Sequence, residues 1–346
     1  MIDYLIVGGG LAGSILADFL SKKASVQIID QHQGKYSSKV AAGIFNPVTG
    51  RRMAKSWMVD TIGPFALNYY RSIEEQANVQ LVDLKNIKRL FHNAQQRDEW
   101  LQRVEFQNLE GIIKAEIAPN ADHAHFRMEH GGVETEFSWR LNTTTFLETL
   151  HAQFNGKDII RPWTLDIEDL GIKDESLKIK DIEAKNIIFA EGYQMVNNPY
   201  WRHLPMAPNK GELLIIEAEG IQETELMQKR IFLLPLGKNR FKVGATYDRE
   251  DLELKNTLEK KEWLLERLDA LLKVPYKVVD QEAGIRPATR DRRPFIGQHP
   301  AHCNLFIFNG FGSKGVSQIP WCAQHFTQHL LEGKGLLQEL DVRRVC

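Results

Sequence analysis

Cysteine is scarce in this chain of 346 residues. The three, Cys303, Cys322 and Cys346, are odd in number, and no two form a C-x-x-C. That excludes a disulfide framework and a cysteine-based metal site, so no metal is expected, and it suits a reducing, cytoplasmic setting. Charge of one sign is equally lacking. Forty-four basic residues face 45 acidic ones, a net charge of -1, which removes any global electrostatic case for a nucleic-acid or membrane partner. No apolar run approaches the roughly 18 residues that span a bilayer. The opening residues have neither the basic start nor the cleavage site of a signal peptide, so none is expected. There is no internal repeat and no low-complexity tract. Histidine offers no obvious general base, because His123, His125, His299 and His302 lie in polar stretches and are expected at the surface.

What is present is a glycine-rich turn in a telling context. Tyr4-Leu5-Ile6-Val7 reads as a short buried strand, and Leu11, Ile15, Leu16, Phe19 and Leu20 recur at helical spacing. Gly8, Gly10 and Gly13 therefore stand where a strand turns into a helix, as a G-x-G-x-x-G requires. Gly8 allows the tight turn, Gly10 lets a pyrophosphate approach, and Gly13 lets helix and strand pack closely. The helix N-terminus then offers N–H groups and a positive dipole end to the phosphates. A second strand, Val26 to Ile29, ends in Asp30, placed to accept a ribose hydroxyl. An acid here argues against a ribose phosphate and leaves NAD and FAD both open.

The rest of the chain, with hydrophobic residues at 43% and charged ones at 26%, reads as an ordinary globular enzyme of about two domains. Gln31 to Lys39 is expected as loop, and Ala41 to Arg52 as a small-residue stretch able to run close to a bulky ligand. Helices are expected over Trp57 to Val79, near Arg97 to Arg103, over Thr143 to Phe154 and over Asn256 to Leu272. Asn142 or Thr143 would cap the third, and Asn256 with Glu259 would form a capping box on the fourth. Asn186 to Gly192 reads as a buried strand entering a turn. Lys210–Glu217, Arg230–Leu234 and Arg240–Tyr247 read as antiparallel strands, the last two joined at Gly237-Lys238-Asn239. Near the end, a strand from Asn304 to Phe308 leads into a second G-x-G-x-x-G, Gly310, Gly312 and Gly315. A helix from about Ser317 to Leu331 follows, with Pro320 in its first turn. Glycine turns at both ends suggest that both termini build one nucleotide-binding domain around an inserted one. The second turn either binds a second dinucleotide or meets the far end of one long cofactor.

Gly8–Gly13 with Asp30, Ile188-Phe189-Ala190-Glu191-Gly192, Gly284-Ile285-Arg286-Pro287 and Asn309 to Gly315 together resemble the D-amino-acid-oxidase-like family of FAD-dependent oxidoreductases, of the glycine and sarcosine oxidase kind. Arg286 to Asp291 with Pro294 and Gly297, and Gly244 to Asp248, are similar to one branch of it, the FAD-dependent half of a bifunctional bacterial protein that modifies the wobble uridine of tRNA. The resemblance implies an α/β fold: a Rossmann-like, GR2-type FAD-binding domain with an inserted antiparallel-sheet α+β substrate domain. The former would take residues 1–78, 140–204 and 280–346, the latter 79–139 and 205–279. It implies one FAD, its ADP half on Gly8, Gly10, Leu11, Ala12, Gly13 and Asp30. Its ring system would reach Ala42, Gly43, Gly192 and the turn of Gly310, Gly312, Ser313, Lys314 and Gly315. Some members attach the flavin through a cysteine just before the Asp291 region. Ala283 to Thr289 has none, so non-covalent FAD is expected.

The family's reaction is oxidation of a C–N bond, with a hydride passing to the flavin and the imine then hydrolysing. Arg286 matches the family's carboxylate-binding arginine, and its planar fork suits a bidentate pair. Free N–H groups at Gly312 to Gly315 and the helix dipole would stabilise charge on the reduced ring, and Lys314 either adds its charge there or stands as a solvated loop lysine. Arg290, Arg292 and Arg293 form a basic cluster that reads first as a solvated face and second, with Arg51, Arg52 and Lys55, as a positive mouth. The expected function is oxidation of an amino acid or N-substituted glycine. The alternatives are action on a carboxymethylaminomethyl group of tRNA, and a non-catalytic dinucleotide-binding protein.

Overall fold

The computed structural model describes residues 1–30, 37–50, 53–104, 109, 111–163, 165–172, 177–221 and 226–345. Two large sheets organise them. The first has the parallel strands Ile160–Pro162, Val26–Asp30, Ile2–Val7, Ile182–Phe189 and Leu305–Asn309 in that spatial order. Antiparallel pieces at Leu177–Ile179, Gly171–Ile172 and Phe295–Gln298 extend its edges. Side chains alternate across it, as a sheet buried on both faces demands. Tyr4, Ile6, Ile28, Ile188, Phe306 and Phe308 pack under the helices Leu11–Leu20, Val59–Ala77, Thr143–Asn155 and Gly315–Glu332. Leu5, Val7, Ile29, Ile187, Phe189 and Ile307 pack on the other side with Met195 and Trp201.

The second sheet runs Lys277–Arg286, Asn209–Glu217, Arg240–Gly244, Ile231–Gly237, Leu226–Lys229, Ile87–Leu90, Gly132–Thr135 and Ile113–Ile117. All its pairings are antiparallel except Leu226–Lys229 with Ile87–Leu90. The helix Leu258–Asp269 covers it through Leu264 and Leu268. The hairpin at Lys238 and Asn239 forms as expected, both residues at positive φ. Between Phe189 and Asn209, and between Arg286 and Phe295, the chain passes from one large sheet to the other. Val82–Leu84 pairs with Trp139–Leu141, and Lys277–Arg286 is one unbroken strand.

Several local expectations need correction. Ser37–Val40 is a short helical turn, not loop, while 31–36 lie outside the described residues. The helix expected from Asn256 starts at Leu258, capped by the Thr257 side chain on the Lys260 N–H. Asn256 instead donates to the Gln281 carbonyl. The last helix begins at Gly315, so Pro320 sits in its second turn. Pro320 has no N–H to give the Val316 carbonyl. The buried Tyr70 hydroxyl donates to that carbonyl instead, at 2.7 Å.

Candidate active site

The parallel strands all end on one edge, and sheets of this kind bind ligands outside their carboxyl ends. Along that edge runs a cavity of about 1470 Å³, walled on its far side by the antiparallel sheet through Leu213, Phe232 and Gly284. A drug-sized ligand needs roughly 300–1,000 Å³, so the space admits something longer.

At one end stands the first glycine turn. Gly8 has φ +109°, and a Cβ there would lie 2.6 Å from the Ala190 carbonyl oxygen. A Cβ on Gly13 would lie 1.9 Å from the Gly8 carbonyl oxygen, so Gly13 lets the helix sit down on its own entry turn and does not itself line the cavity. Gly10 meets nothing closer than the Ser38 hydroxyl at 3.6 Å and leaves room for a ligand. Gly8, Gly10, Leu11, Ala12 and Asp30 all line the space. Asp30 is buried, and its Oδ1 accepts the Gly9 N–H at 2.9 Å, fixing the turn from the neighbouring strand. The Ser14 hydroxyl, donating to the Gly9 carbonyl, adds a second brace.

Ala42, Gly43 and Gly192 line the middle. Glu191 is there too. It accepts from Asn198 Nδ2 at 2.8 Å, and burial pushes its carboxyl up to about 7. Asn309 joins this turn to the next: its Nδ2 donates to the Gly192 carbonyl, and its Oδ1 accepts the Gly310 N–H, both at 2.9 Å. Gly310, Gly312, Ser313, Lys314 and Gly315 follow along the wall. Gly310 and Gly312 have φ of +85° and +53°. The Lys314 ammonium donates to the Ser56 hydroxyl at 3.3 Å, and burial lowers its pKa to about 8.

Arg286 closes the far end as the last residue of its strand. Its Nη1 donates to Asn209 Oδ1, directly across the strand pair, at 2.8 Å, and to the Thr246 carbonyl at 3.4 Å. A Cβ on Gly211 would lie 2.2 Å from its Nη2, so that glycine makes the slot in which the guanidinium lies. Burial pulls its pKa below the ordinary arginine value. Among the described residues no carboxylate pairs with it.

The basic cluster is partly tied down. Arg290, Arg292 and Arg293 line the cavity, but Arg293 pairs with Glu339 at 3.4 Å and stacks on Trp57 at 4.7 Å. Asp291 pairs with Arg344, and Lys55 with Asp60. Arg51 and Arg52 lie outside the described residues. The four histidines expected at the surface are half-buried, His299 packing against Trp201 at 4.9 Å, and none lines the cavity. Sequence reasoning missed Ser14, Ser38, Ser56, Asn209 and Gly211. Each acts through a partner distant in sequence or through a turn it does not belong to, and no local pattern marks it.

The lining fits a dinucleotide: a glycine turn open at Gly10, a carboxylate at Asp30 and a second glycine turn at the other end. Residues 3–329 match the family model described as FAD dependent oxidoreductase. The tRNA 5-methylaminomethyl-2-thiouridine biosynthesis bifunctional protein of Legionella pneumophila (strain Corby) is 23% identical over 91% of this chain and 52% of its own length. The chain thus spans about half of that relative. The glycine oxidase of Bacillus subtilis is 24% identical over 92% of this chain and 90% of its own. The crystal structure of iminodiacetate oxidase from Chelativorans sp. BNC1 superposes with a TM-score of 0.80, at 18% identity, over 97% of each chain, and shares the fold.

Proposed function

The chain belongs to this family of FAD-dependent oxidoreductases, and we propose that it oxidises the C–N bond of an amine bearing a carboxylate, an amino acid or an N-substituted glycine. The observation that carries this reading is Arg286: a half-buried guanidinium at the end of the cofactor cavity, hydrogen-bonded among the described residues to neutral oxygens. A buried charge without a counter-charge is costly, and a substrate carboxylate supplies the missing one with two parallel hydrogen bonds.

FAD, when bound, supplies the acceptor for the two electrons that leave with the substrate's hydrogen. Gly8, Gly10, Leu11, Ala12 and Asp30 would hold its ADP half, with Gly13 packing the helix against the turn behind them. Ala42, Gly43, Gly192, Gly310, Gly312, Ser313 and Gly315 would hold the rest. Arg286 fixes the carboxylate and hence the carbon one bond away, and such positioning is worth several kcal/mol of barrier. Lys314, charged below about pH 8, places a cation at the second glycine turn. There, with the N-terminus of the Gly315–Glu332 helix, it stabilises negative charge.

A second reading keeps the same reacting group. A carboxymethylaminomethyl substituent is itself an N-substituted glycine, and the Legionella relative is named for modification of tRNA. Arg290 and Arg292 at the cavity wall favour it. One experiment separates the readings: the visible spectrum of the purified protein under anaerobic addition of glycine derivatives and of D- and L-amino acids. Flavin that bleaches with one small carboxylated amine supports the first reading. Flavin that bleaches only with tRNA carrying the modified uridine supports the second. Flavin that no amine reduces leaves a non-catalytic binding protein.

A further inference from the structure

Past the strand Arg240–Gly244 the chain crosses the mouth of the cavity with its side chains alternating. Thr246 is buried and Asp248 half-buried, whereas Tyr247 and Arg249 are exposed and line the cavity. The inner side is fastened firmly. Asp248 and Lys210 exchange backbone hydrogen bonds at 2.9 and 2.7 Å. The wholly buried Lys210 ammonium bonds Asp251, and Glu212 at 3.2 Å. Asp248 also pairs with Lys260 at 2.9 Å, and Thr246 Oγ1 accepts the Glu212 N–H at 2.8 Å. Breaking a buried pair of this kind is strongly destabilising, so the strap is held in one place.

On the outer side, Arg249 Nε and Nη2 both donate to the Tyr247 hydroxyl, at 3.1 and 3.0 Å, with the guanidinium 5.4 Å from the ring centre. Tyr247 also lies within electrostatic reach of Arg286. Arg286 donates to the Thr246 carbonyl beside Tyr247, so both guanidinium groups lie against one short stretch of the strap. Neither arginine has a carboxylate partner among the described residues. Both line the same cavity, and one bound carboxylate pairs with only one of them.

We propose that the substrate amine carries a second carboxylate, and that Arg249, braced on Tyr247, binds it. The inference rests on the reading of Arg286 as the anchor of the first. Two cations on one short stretch of the cavity wall suit two charges within one small molecule better than the spaced phosphates of a nucleic acid.

The test compares iminodiacetate, a secondary amine with two carboxylates, with N-methylglycine, which has one, as substrates of the flavin-loaded protein. The wild type should favour iminodiacetate in kcat/KM by about tenfold or more, the worth of a charged hydrogen bond. Arg249→Gln should raise KM for iminodiacetate by about that factor, leave kcat unchanged and leave N-methylglycine untouched. Arg249→Lys should recover part of the difference. Equal loss on both amines, or loss on neither, overturns the proposal. If neither amine reduces the wild-type flavin, and no D- or L-amino acid does, the C–N oxidation reading has failed on its own. The subsite is then decided by binding of malonate against acetate, followed by perturbation of the flavin spectrum. Tighter malonate binding that Arg249→Gln abolishes upholds it, and equal binding overturns it. An RNA oligonucleotide whose binding depends on Arg249 while malonate binding does not also overturns it, since Arg249 then serves phosphates.

Discussion

Arg286 is a half-buried guanidinium with no carboxylate partner among the described residues, and its surroundings explain how it is held. Asn209 and the Thr246 carbonyl fix its direction, and Gly211 gives it space. Replacing it by leucine removes the charge and keeps much of the volume. Arg286→Leu should retain FAD, seen as an unchanged flavin spectrum, and raise KM for carboxylated amines roughly 10- to 150-fold, matching a charged hydrogen bond of about 1.5–3 kcal/mol. An unaltered KM would remove Arg286 from the substrate site. Much of this region was legible in the sequence because it is local. The turn at Gly8, Gly10 and Gly13 is decided within six residues, and Arg286-Pro287 stands in a recognisable run. Asn209 and Gly211 were not legible. They meet Arg286 only because two strands pair in one register, and nothing in either segment alone states that register.

Elements show the same limit at their ends. Ahead of the helix Leu258–Asp269, Asn256 and Thr257 are both good caps by residue type, and the choice between them falls to distant partners. Asn256 is drawn to the Gln281 carbonyl, while Glu212 accepts from the backbone and hydroxyl of Thr257 and sets it at the helix start. Pro320 is the clearer case. Placed in the second turn of Gly315–Glu332, it leaves the Val316 carbonyl without its helical donor, and Tyr70 reaches over from the Val59–Ala77 helix to supply one. Tyr70→Phe should therefore cost about 1–3 kcal/mol in chemical denaturation, the range for a buried group left unsatisfied. In a Pro320→Ala background, where the helix provides its own N–H, the cost of Tyr70→Phe should shrink. Equal costs in both backgrounds would mean that Tyr70 matters only for packing.

For the molecule as a whole, the cavity gathers buried charge that the FAD-free fold must carry. Burial raises the Glu191 carboxyl to about 7 and lowers Lys314 to about 8. The fold thus favours neutral Glu191. That contribution is complete below the unfolded carboxyl value of about 4.3 and is lost as pH rises through about 7. It also favours neutral Lys314, a contribution complete above the unfolded value of about 10.4 and lost as pH falls through about 8. Both are absent between about 7 and 8. The melting temperature of FAD-free protein should pass through a shallow minimum there, and Glu191→Gln with Lys314→Met should flatten it. A minimum that persists in the double variant belongs to other groups. The division into a parallel and an antiparallel sheet was visible from strand order and the two glycine turns. The places of Val82–Leu84, in a small separate sheet, and of Lys277–Arg286, at the edge of the antiparallel one, were not, because pairing partners, not composition, decide which layer a strand joins.

The two glycine turns also set a timetable. One is made by Gly8 to Gly13 and the other by Gly310 to Gly315, and Leu305–Asn309 enters the parallel sheet only beside a strand ending at Phe189. During synthesis the whole of the antiparallel layer therefore emerges between the first glycine turn and the second. Only after Gly315 has left the ribosome can both ends of the cavity exist at once.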